Sequence, residues 1–339
     1  MAYSITDKLV VGLTSRALFD LEEADAVFKN EGIAAYRAHQ LEREAVVLEP
    51  GTAFSLASNL LRINELANER LVEVVVISRN DADSGMRILN SVEAHGLDIT
   101  RAAFTDGKPP WPFLGPFSCN LFLSAHDTDV EEALRHGWPA ALVLKPARPT
   151  GEGGPEGEVR IAFDGDAVLF DHESEHVYQT KGLEAFVERE VALSEVPMSP
   201  GPFKPFLESL ARVQQHFPAE EAPIRLALVT ARGAPAHRRV VHTLRQWGIR
   251  LNETFFLGGI DKAGVLAALK PHIYFDDQMT HLQQTQVATP SAHVVPLNAQ
   301  PALPFGPSGS TPDGGEALSV PPNVPAESRP ERRSTDEVA

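Results

Sequence analysis

The stretch Val159-Arg-Ile-Ala-Phe-Asp-Gly-Asp-Ala-Val-Leu-Phe170 decides the fold, because a short apolar run in it ends in two acidic residues. An apolar run rich in β-branched residues is typical of a buried strand in a parallel sheet, which is covered on both faces. Asp164 and Asp166 follow that run, and open α/β sheets hold ligands at the carboxyl ends of their strands. Burying two acids together is costly unless a cation or a proton compensates them. The stretch therefore predicts either a ligand site or an Asp-Gly turn, and other features must decide between them.

The composition limits the kind of protein. The chain has 339 residues, 43% of them hydrophobic, so it can bury a large core, in two domains rather than one. The formal net charge of −16 argues against binding to a nucleic acid polymer, which needs a basic surface. We expect no signal peptide and no membrane span, since no window approaches roughly 18 apolar residues. The single cysteine, Cys119, excludes an intrachain disulfide and suits the cytoplasm, which is the predicted location.

Strand and helix patterns alternate along the first half of the chain. The predicted strands are 8–13, 72–77, 120–123 and 140–144, and the predicted helices are 22–44 (interrupted at Gly32), 52–66 and 83–95. This alternation predicts an α/β fold with a mostly parallel sheet. Residues 146–158 are rich in proline, glycine and acids, which predicts a linker. Residues 298–339 are rich in proline, glycine, serine and charge, which predicts a disordered tail.

The second half repeats the first at a steady offset of 150 to 152 positions, which favours duplication over chance similarity. The corresponding segments are 17–20 and 168–171, 50–51 and 200–201, 75–78 and 227–230, and 121–124 and 273–276.

The acidic residues are not repeated. Leu13 corresponds to Asp164 and Ser15 to Asp166, while Ser124 and Ala125 stand where the second half has Asp276 and Asp277. We therefore predict a lobe without catalytic acids over residues 1–145 and a catalytic lobe over residues 159–297. The first lobe is expected to stabilise the second as a pseudo-symmetric partner, with an effector site at its own strand ends as the alternative.

Four more residues join the candidate site. Thr230 ends a predicted strand before a helix, where a hydroxyl can hold a phosphate oxygen or simply cap the helix. Lys262 precedes a predicted helix, and alone it would be read as a surface charge. Asp276 and Asp277 end the apolar run 273–275, so two strands of one sheet end in paired acids. A hard cation such as Mg²⁺, which takes oxygen ligands, would explain these acids.

In combination these motifs resemble the haloacid dehalogenase-like phosphatases, and longer strings resemble the cytosolic type I 5′-nucleotidases within that superfamily. The resemblance covers residues 8 to about 297. The strings that carry it are Thr14-Ser-Arg-Ala-Leu-Phe19, Phe163-Asp-Gly-Asp-Ala-Val-Leu-Phe170, Leu228-Val-Thr-Ala-Arg232, Leu244-Arg-Gln-Trp-Gly248 and Phe275-Asp-Asp-Gln278.

The resemblance implies a fold and an activity. The fold would be two tandem Rossmann-like three-layer halves of the haloacid dehalogenase type, with a small helical cap inserted in the second half at about residues 172–200. The activity would be Mg²⁺-dependent hydrolysis of nucleoside 5′-monophosphates such as AMP, by a phosphoric monoester hydrolase. Alternatives left open are a phosphatase for another small phosphoester, such as a sugar phosphate, and a nucleotide-binding regulator without turnover. A homo-oligomer is compatible with either.

The resemblance also implies roles for the site residues. Asp164 would be the nucleophile that forms an aspartyl-phosphate, and Asp166 the general acid and base. Mg²⁺ would be held by Asp164, the backbone carbonyl of Asp166, and Asp276, with Asp277 as a ligand or a group that orients the ligands. Thr230 and Lys262 would hold the phosphoryl oxygens.

Some motifs resemble functional ones, but their context favours a structural interpretation. His172-Glu-Ser-Glu-His176 fits a zinc-protease pattern but has no evident third ligand, so a polar cap segment is the better interpretation. Gly151–Gly157 fails as a dinucleotide-binding motif because it precedes a strand and contains Pro155. Arg238 and Arg239 are predicted to lie on a solvated helix face, with attraction of a phosphate as the alternative. In the cap, His176, Tyr178 and Phe186 are candidates for contacting a nucleotide base.

Overall fold

The strands that carry the acidic residues belong to one continuous sheet. The computed structural model describes residues 4–145 and 157–296, and ten strands of these ranges form the sheet. In chain order the strands are β1 Leu9–Leu13, β2 Val72–Ser78, β3 Arg101–Phe104, β4 Leu121–Ser124, β5 Ala140–Val143, β6 Val159–Phe163, β7 Ile224–Thr230, β8 Glu253–Phe256, β9 Ile273–Asp276 and β10 Ser291–His293.

The strand order is the same when read from either edge. It runs β3-β2-β1-β4-β5-β10-β9-β6-β7-β8, so the first five strands and the last five have matching positions. All neighbours are parallel except β5 and β10, which pair antiparallel with Ala292 beside Val143. An antiparallel join between two parallel sets relates them by an approximate two-fold axis. The predicted α/β class with a mostly parallel sheet is confirmed.

Helices connect the strands and agree with the sequence pattern to within a few residues. They are α1 Ser15–Leu18, α2 Glu22–Glu31, α3 Ile33–Glu42, α4 Phe54–Ala67, α5 Ala82–Ala94, α6 Asp127–Arg135, α7 Glu173–Ala192, α8 Lys204–Gln214, α9 His237–Gln246, α10 Lys262–Leu269 and α11 Met279–Thr285. The sequence analysis did not identify β3, β8, β10, α1, α6 or α11. Strands β3 and β8 are short, half-exposed edge strands, so they lack the continuous apolar run that identifies a buried strand.

The segment expected to form a cap in the second half has a counterpart in the first. Helix α7 bends at Gly182, where φ is 81°, and α2 and α3 meet at Gly32, where φ is 84°. Glycine suits both bends because a side chain is strained at such a positive φ. Both halves thus have a bent helical segment after their first strand, and the cap insertion expected in the second half stays a prediction.

The two faces of the sheet differ in how they join the halves. On one face a single apolar core runs through both, and it includes Leu56 and Leu60 of α4 and Phe206 and Leu210 of α8. Helix α4 contacts β6, and α8 contacts β1, so each helix reaches the central strand of the other half. On the opposite face, each half has its own smaller cluster. Much of the apolar surface of each half is therefore buried only in the presence of the other.

Several expectations concern residues outside the described ranges. The motif Gly151–Gly157 and the linker 146–158 fall there apart from Gly157 and Glu158, and so does the tail 298–339. The boundaries of the two predicted lobes stay predictions. Among the described residues, no helix combines the length and apolar character needed to cross a membrane.

Gly201 packs closely against the backbone of residues 168 and 170, which follow the acid motif, so a substitution there tests this packing. A Cβ at this position would lie 2.4 Å from the carbonyl oxygen of Phe170 and 2.5 Å from that of Val168, both backbone atoms that cannot rotate away. We expect Gly201→Ala to lower the free energy of unfolding by on the order of 3 kcal/mol, measured by urea denaturation.

Gly264→Ala is the matched control. Gly264 lies in α10, and a Cβ there would meet no atom within 4 Å. Alanine is the better helix former, so this variant should gain roughly 0.5–1 kcal/mol. Equal stability of the two variants would contradict the packing described here.

Candidate functional site

Parallel pairing brings the acids of two strands together. Strand β6 lies beside β9 with Phe163 next to Phe275, so Asp164 and Asp276 emerge side by side at the carboxyl edge of the sheet. One carboxylate oxygen each from Asp164, Asp276 and Asp277 lie within 4.8 Å of one another. Asp164 and Asp276 are buried and Asp277 is partly buried. Three carboxylates this close repel one another strongly unless positive charge is present.

Lys262 supplies one positive charge. Its Nζ lies 3.0 Å from Oδ1 of Asp164 and 2.7 Å from Oδ2 of Asp276, and the residue is only 4% exposed. Lys262 is the first residue of α10, where the carboxylate of Asp261 caps the helix by accepting the N–H of Ala263. The capped helix start thus holds the lysine over the acids. Burial opposes its charge, but the two carboxylates outweigh burial and raise the pKa of Lys262.

Asp276 is the most completely hydrogen-bonded of the acids. Its Oδ1 accepts the backbone N–H of Gln278 at 2.7 Å, and its Oδ2 accepts Lys262 and the hydroxyl of Tyr274. Nδ1 of His281 lies 3.1 Å from Oδ2. Burial opposes ionisation, but the hydrogen bonds from His281 and Lys262 and the lysine charge lower the pKa of this carboxyl to about 2. Asp276 is therefore ionised and fixed in position.

The negative charges of Asp277 and Asp164 are less well balanced by hydrogen bonds and positive charge than that of Asp276. Oδ1 of Asp277 is buried and has no hydrogen-bond partner among the described residues. Burial, with the neighbouring charges of Asp164 and Asp276, raises the pKa of Asp277 to about 8. Burial also raises the pKa of Asp164, and Lys262 offsets this only in part. Three acids share one lysine, so the group lacks positive charge. A divalent cation, which takes oxygen ligands, would supply that charge and a partner for Oδ1 of Asp277.

Asp166 lies apart from the three-carboxylate group. Its two oxygens accept a fork of hydrogen bonds from Arg232, at 2.8 Å from Nε and 2.5 Å from Nη2. The predicted contact between its backbone carbonyl and a metal stays a prediction. Sequence reasoning quoted Arg232 only as part of a longer string and gave it no role.

Thr230 is the last residue of β7, next to the acids. Its Oγ1 accepts the backbone N–H of Arg232 at 3.2 Å, which shapes the turn after the strand. A Cβ at Gly165 would lie 3.3 Å from that oxygen, so the threonine faces the turn that carries Asp166. Its role in holding phosphate remains a prediction.

The matching edge of the first half carries neutral groups. Oγ of Ser15 lies 2.8 Å from Oγ of Ser78 and donates to Oδ1 of Asn80, also at 2.8 Å. The nearby Arg79 is paired with the buried Asp129. The hydroxyls of Ser15 and Ser78 and the arginine have partners within the protein, whereas the buried Oγ1 of Thr14 has none among the described residues. Within the described part of the chain, this edge has no group of three acids like that of the second half.

One expectation about the surface is wrong. Arg239 was predicted to be solvated, but it is 5% exposed and its Nη1 lies 3.0 Å from Oε1 of Glu190 on α7. Residues 238 and 239 look alike in sequence, and only the rotation of α9 turns one outward and the other inward. Arg238 is exposed as expected. His172 and His176 are exposed and lie outside the carboxylate group.

Sequence reasoning also missed Glu190, Tyr274 and His281, which contact site residues. Tyr274 sits between two apolar strand residues and His281 lies in a polar helix, so their neighbours in sequence gave no signal. Of the candidate base contacts, Tyr178 and Phe186 stack edge to face with centroids 6.2 Å apart. The guanidinium of Arg232 lies 5.4 Å from the centroid of Phe186.

The fold and the acid group define a candidate metal-binding α/β protein with its site at the carboxyl edge of a parallel sheet. Residues 1–300 match the family model described as 5′-nucleotidase, and the chain belongs to that family. It is 37% identical over 289 residues to human cytosolic 5′-nucleotidase 1B, covering 82% of this chain and 47% of the human protein. The chain thus spans about half the length of this curated relative. The resemblance to the cytosolic type I branch is confirmed.

A comparison of structures gives a much weaker likeness. Histidinol dehydrogenase from Elizabethkingia anophelis matches 84% of this chain and 52% of its own, with a TM-score of 0.22 and 9% identity. This value is too low to support a common fold.

Asp277 allows metal binding to be tested without measuring activity. We expect Mg²⁺ or Mn²⁺ to raise the unfolding temperature of the wild type, because a ligand at about a hundredfold excess over its dissociation constant stabilises by roughly 2.7 kcal/mol. Burial and the neighbouring carboxylates disfavour an ionised Asp277, so without metal Asp277→Asn should be at least as stable as the wild type. It should gain much less stability from the metal, measured by thermal unfolding and calorimetric titration.

Asp83→Asn is the control, because Asp83 is an exposed acid in the first turn of α5. It should respond to the metal as the wild type does. An undiminished metal response in Asp277→Asn would exclude Asp277 as a ligand.

Proposed function

We propose that this chain is an Mg²⁺-dependent phosphatase that hydrolyses nucleoside 5′-monophosphates to a nucleoside and phosphate. The observation that carries the proposal is the buried group of Asp164, Asp276, Asp277 and Lys262, with Asp166 two residues after Asp164. Membership of the 5′-nucleotidase family supports a nucleotide over a sugar phosphate as substrate.

The proposed reaction has two steps that use the same pair of acids. A carboxylate oxygen of Asp164 attacks phosphorus, the bond to the ribose 5′ oxygen breaks, and protonated Asp166 gives its proton to the departing oxygen. Asp166, now a carboxylate, takes a proton from water as that water attacks the aspartyl-phosphate. The phosphate leaves with the water oxygen, and Asp164 is regenerated.

The remaining residues stabilise charge. Lys262 and Thr230 would hold the phosphoryl oxygens, the lysine after partly exchanging its carboxylate contacts for the phosphate. Asp164, Asp276 and Asp277 would hold Mg²⁺, with the backbone carbonyl of Asp166. When bound, the cation neutralises the repulsion between the Asp164 carboxylate and the phosphate dianion.

The same proposal includes the architecture implied by the sequence. The two sets of five strands would be tandem haloacid dehalogenase-like halves, a catalytic one over residues 159–297 and one over residues 1–145 without catalytic acids. Their matching strand positions support this. Helix α7 would act as the cap, and His176, Tyr178 and Phe186 would contact the base. The paired rings of Tyr178 and Phe186 beside Arg232 support a stacking surface there.

The two acids test the reaction. We expect Asp164→Asn to abolish phosphate release from a panel of purine and pyrimidine 5′-monophosphates, because the amide cannot replace the attacking carboxylate. Asp166→Asn should lower kcat by about two orders of magnitude or more, the usual scale for losing a general acid. Phosphate release is measured in the presence of Mg²⁺, with circular dichroism to confirm folding. Normal turnover by the Asp164 variant would refute the proposal.

The cation is tested separately. Chelation should remove activity and added Mg²⁺ should restore it, because the carboxylates otherwise repel the substrate. A panel of sugar phosphates measured alongside shows which class of phosphoester is hydrolysed, independently of whether the cation is required. Activity that survives exhaustive chelation would exclude a metal role for these acids.

A further inference from the structure

A buried chain of charges connects Asp166 to the helix proposed as the cap. Glu190 of α7 is fully buried, and its carboxylate accepts hydrogen bonds from Nη1 of Arg232 at 2.6 Å, Nη1 of Arg239 at 3.0 Å and Oγ of Ser174 at 2.8 Å. Arg232 follows β7 and Arg239 lies on α9, so the glutamate joins three elements. The buried side chains of Glu190, Arg232 and Arg239 thus each have a charged partner, as buried ionic groups require.

Arg232 uses its two remaining nitrogens on Asp166. Its Nε and Nη2 form the fork on the aspartate, while Nη1 is held by Glu190. A guanidinium fork fixes the plane of a carboxylate as well as its position. A carboxylate has about four acceptor sites, so the fork leaves a site on each oxygen for a proton. Glu190 therefore determines where Arg232 lies, and Arg232 determines the orientation of Asp166.

The first half contains the same arrangement with a neutral residue in place of the glutamate. The buried Gln40 occupies the place of Glu190 and accepts Nη1 of Arg87 at 2.9 Å. Arg87 donates from Nε to the carbonyl of Val46 at 3.0 Å, just as Arg239 donates to the carbonyl of Val196 at 2.9 Å.

The next two positions are also neutral in the first half. Asn80 stands in the place of Arg232, and Ser15, which donates to it, stands in the place of Asp166. Holding the bent helical segment against the neighbouring helix thus requires only an amide and an arginine. The second half has the carboxylate of Glu190 at this position, and there Arg232 must also be held on Asp166.

We infer that Glu190 is a positioning residue for the reaction: it holds Arg232 so that Arg232 orients Asp166 toward the ester oxygen and the attacking water. This inference rests on the proposed phosphatase function. Glu190 does not touch the substrate, and its effect passes through Asp166.

Glu190→Gln is the decisive variant because it copies Gln40, which already folds in an equivalent place. The amide keeps the contact with Arg239 but loses the ion pair with Arg232. We expect kcat to fall roughly ten- to a hundredfold, the cost of misplacing a catalytic group by about 1 Å, with KM little changed. The unfolding temperature should also fall, because two buried arginines lose their shared carboxylate, so kcat is measured at a temperature where the variant stays folded. Gln40→Glu makes the reverse change where no catalytic acid is present, and its kcat should equal that of the wild type.

A double-variant comparison separates positioning from support of the fold. If Glu190 acts through Asp166, Glu190→Gln should cause no further loss of kcat in an Asp166→Asn background. If Glu190→Gln lowered kcat by the same factor in the wild-type and Asp166→Asn backgrounds, the inference would be overturned. Arg232→Lys, which keeps the charge but cannot form the fork, is the second variant should Glu190→Gln fail to fold. It should show the same loss of kcat and the same dependence on Asp166.

A crystal structure of Glu190→Gln decides the geometric part without any activity. We expect Arg232 to have left its two-bond contact with Asp166, and an unchanged fork would overturn the inference. A wild type that hydrolyses no phosphoester would instead refute the proposed function, and the crystal structure would still decide whether Glu190 fixes the orientation of Asp166.

Discussion

The ion pair of Lys262 with Asp164 and Asp276 is the interaction on which the site depends. Two carboxylates at adjacent strand ends cannot both stay ionised in a buried place without a nearby cation, and Nζ of Lys262 lies within 3.0 Å of both. The capped start of α10 fixes the lysine, and Tyr274 and His281 fix Asp276. Oδ1 of Asp277, which is buried and has no partner among the described residues, points to the charge that the protein itself does not supply.

The pairing of β5 with β10 gives this site a rigid support. It turns two five-stranded sets into one sheet, and the apolar core on one face then runs across the join. Because α4 reaches β6 and α8 reaches β1, the strand that carries Asp164 is packed partly by residues of the first half. The half without the group of acids thus packs against the half that carries it.

Comparing the two halves separates structural from chemical roles within one chain. Positions that match in both halves, such as Gly32 and Gly182 at the helix bends, or Arg87 and Arg239 on the carbonyls of residues 46 and 196, serve the fold. Positions that differ in charge, such as Gln40 and Glu190, serve the chemistry under the proposed function. This internal comparison needs no other sequence, because both halves have the same surroundings in the sheet.

Local signals predicted the fold class, the strands that carry the acids and the acids themselves, because apolar runs and their acidic ends can be recognised within a few residues. A resemblance that spans distant motifs added Lys262, which lies beside these acids, and Thr230, whose role in holding phosphate stays a prediction. Only the tertiary structure decided that Asp166 faces Arg232, that Arg239 is buried and that Glu190 joins both. Such contacts join residues more than 40 positions apart through the rotation of α7 and α9, and hydrophobic periodicity carries no information about which charged side chain meets which.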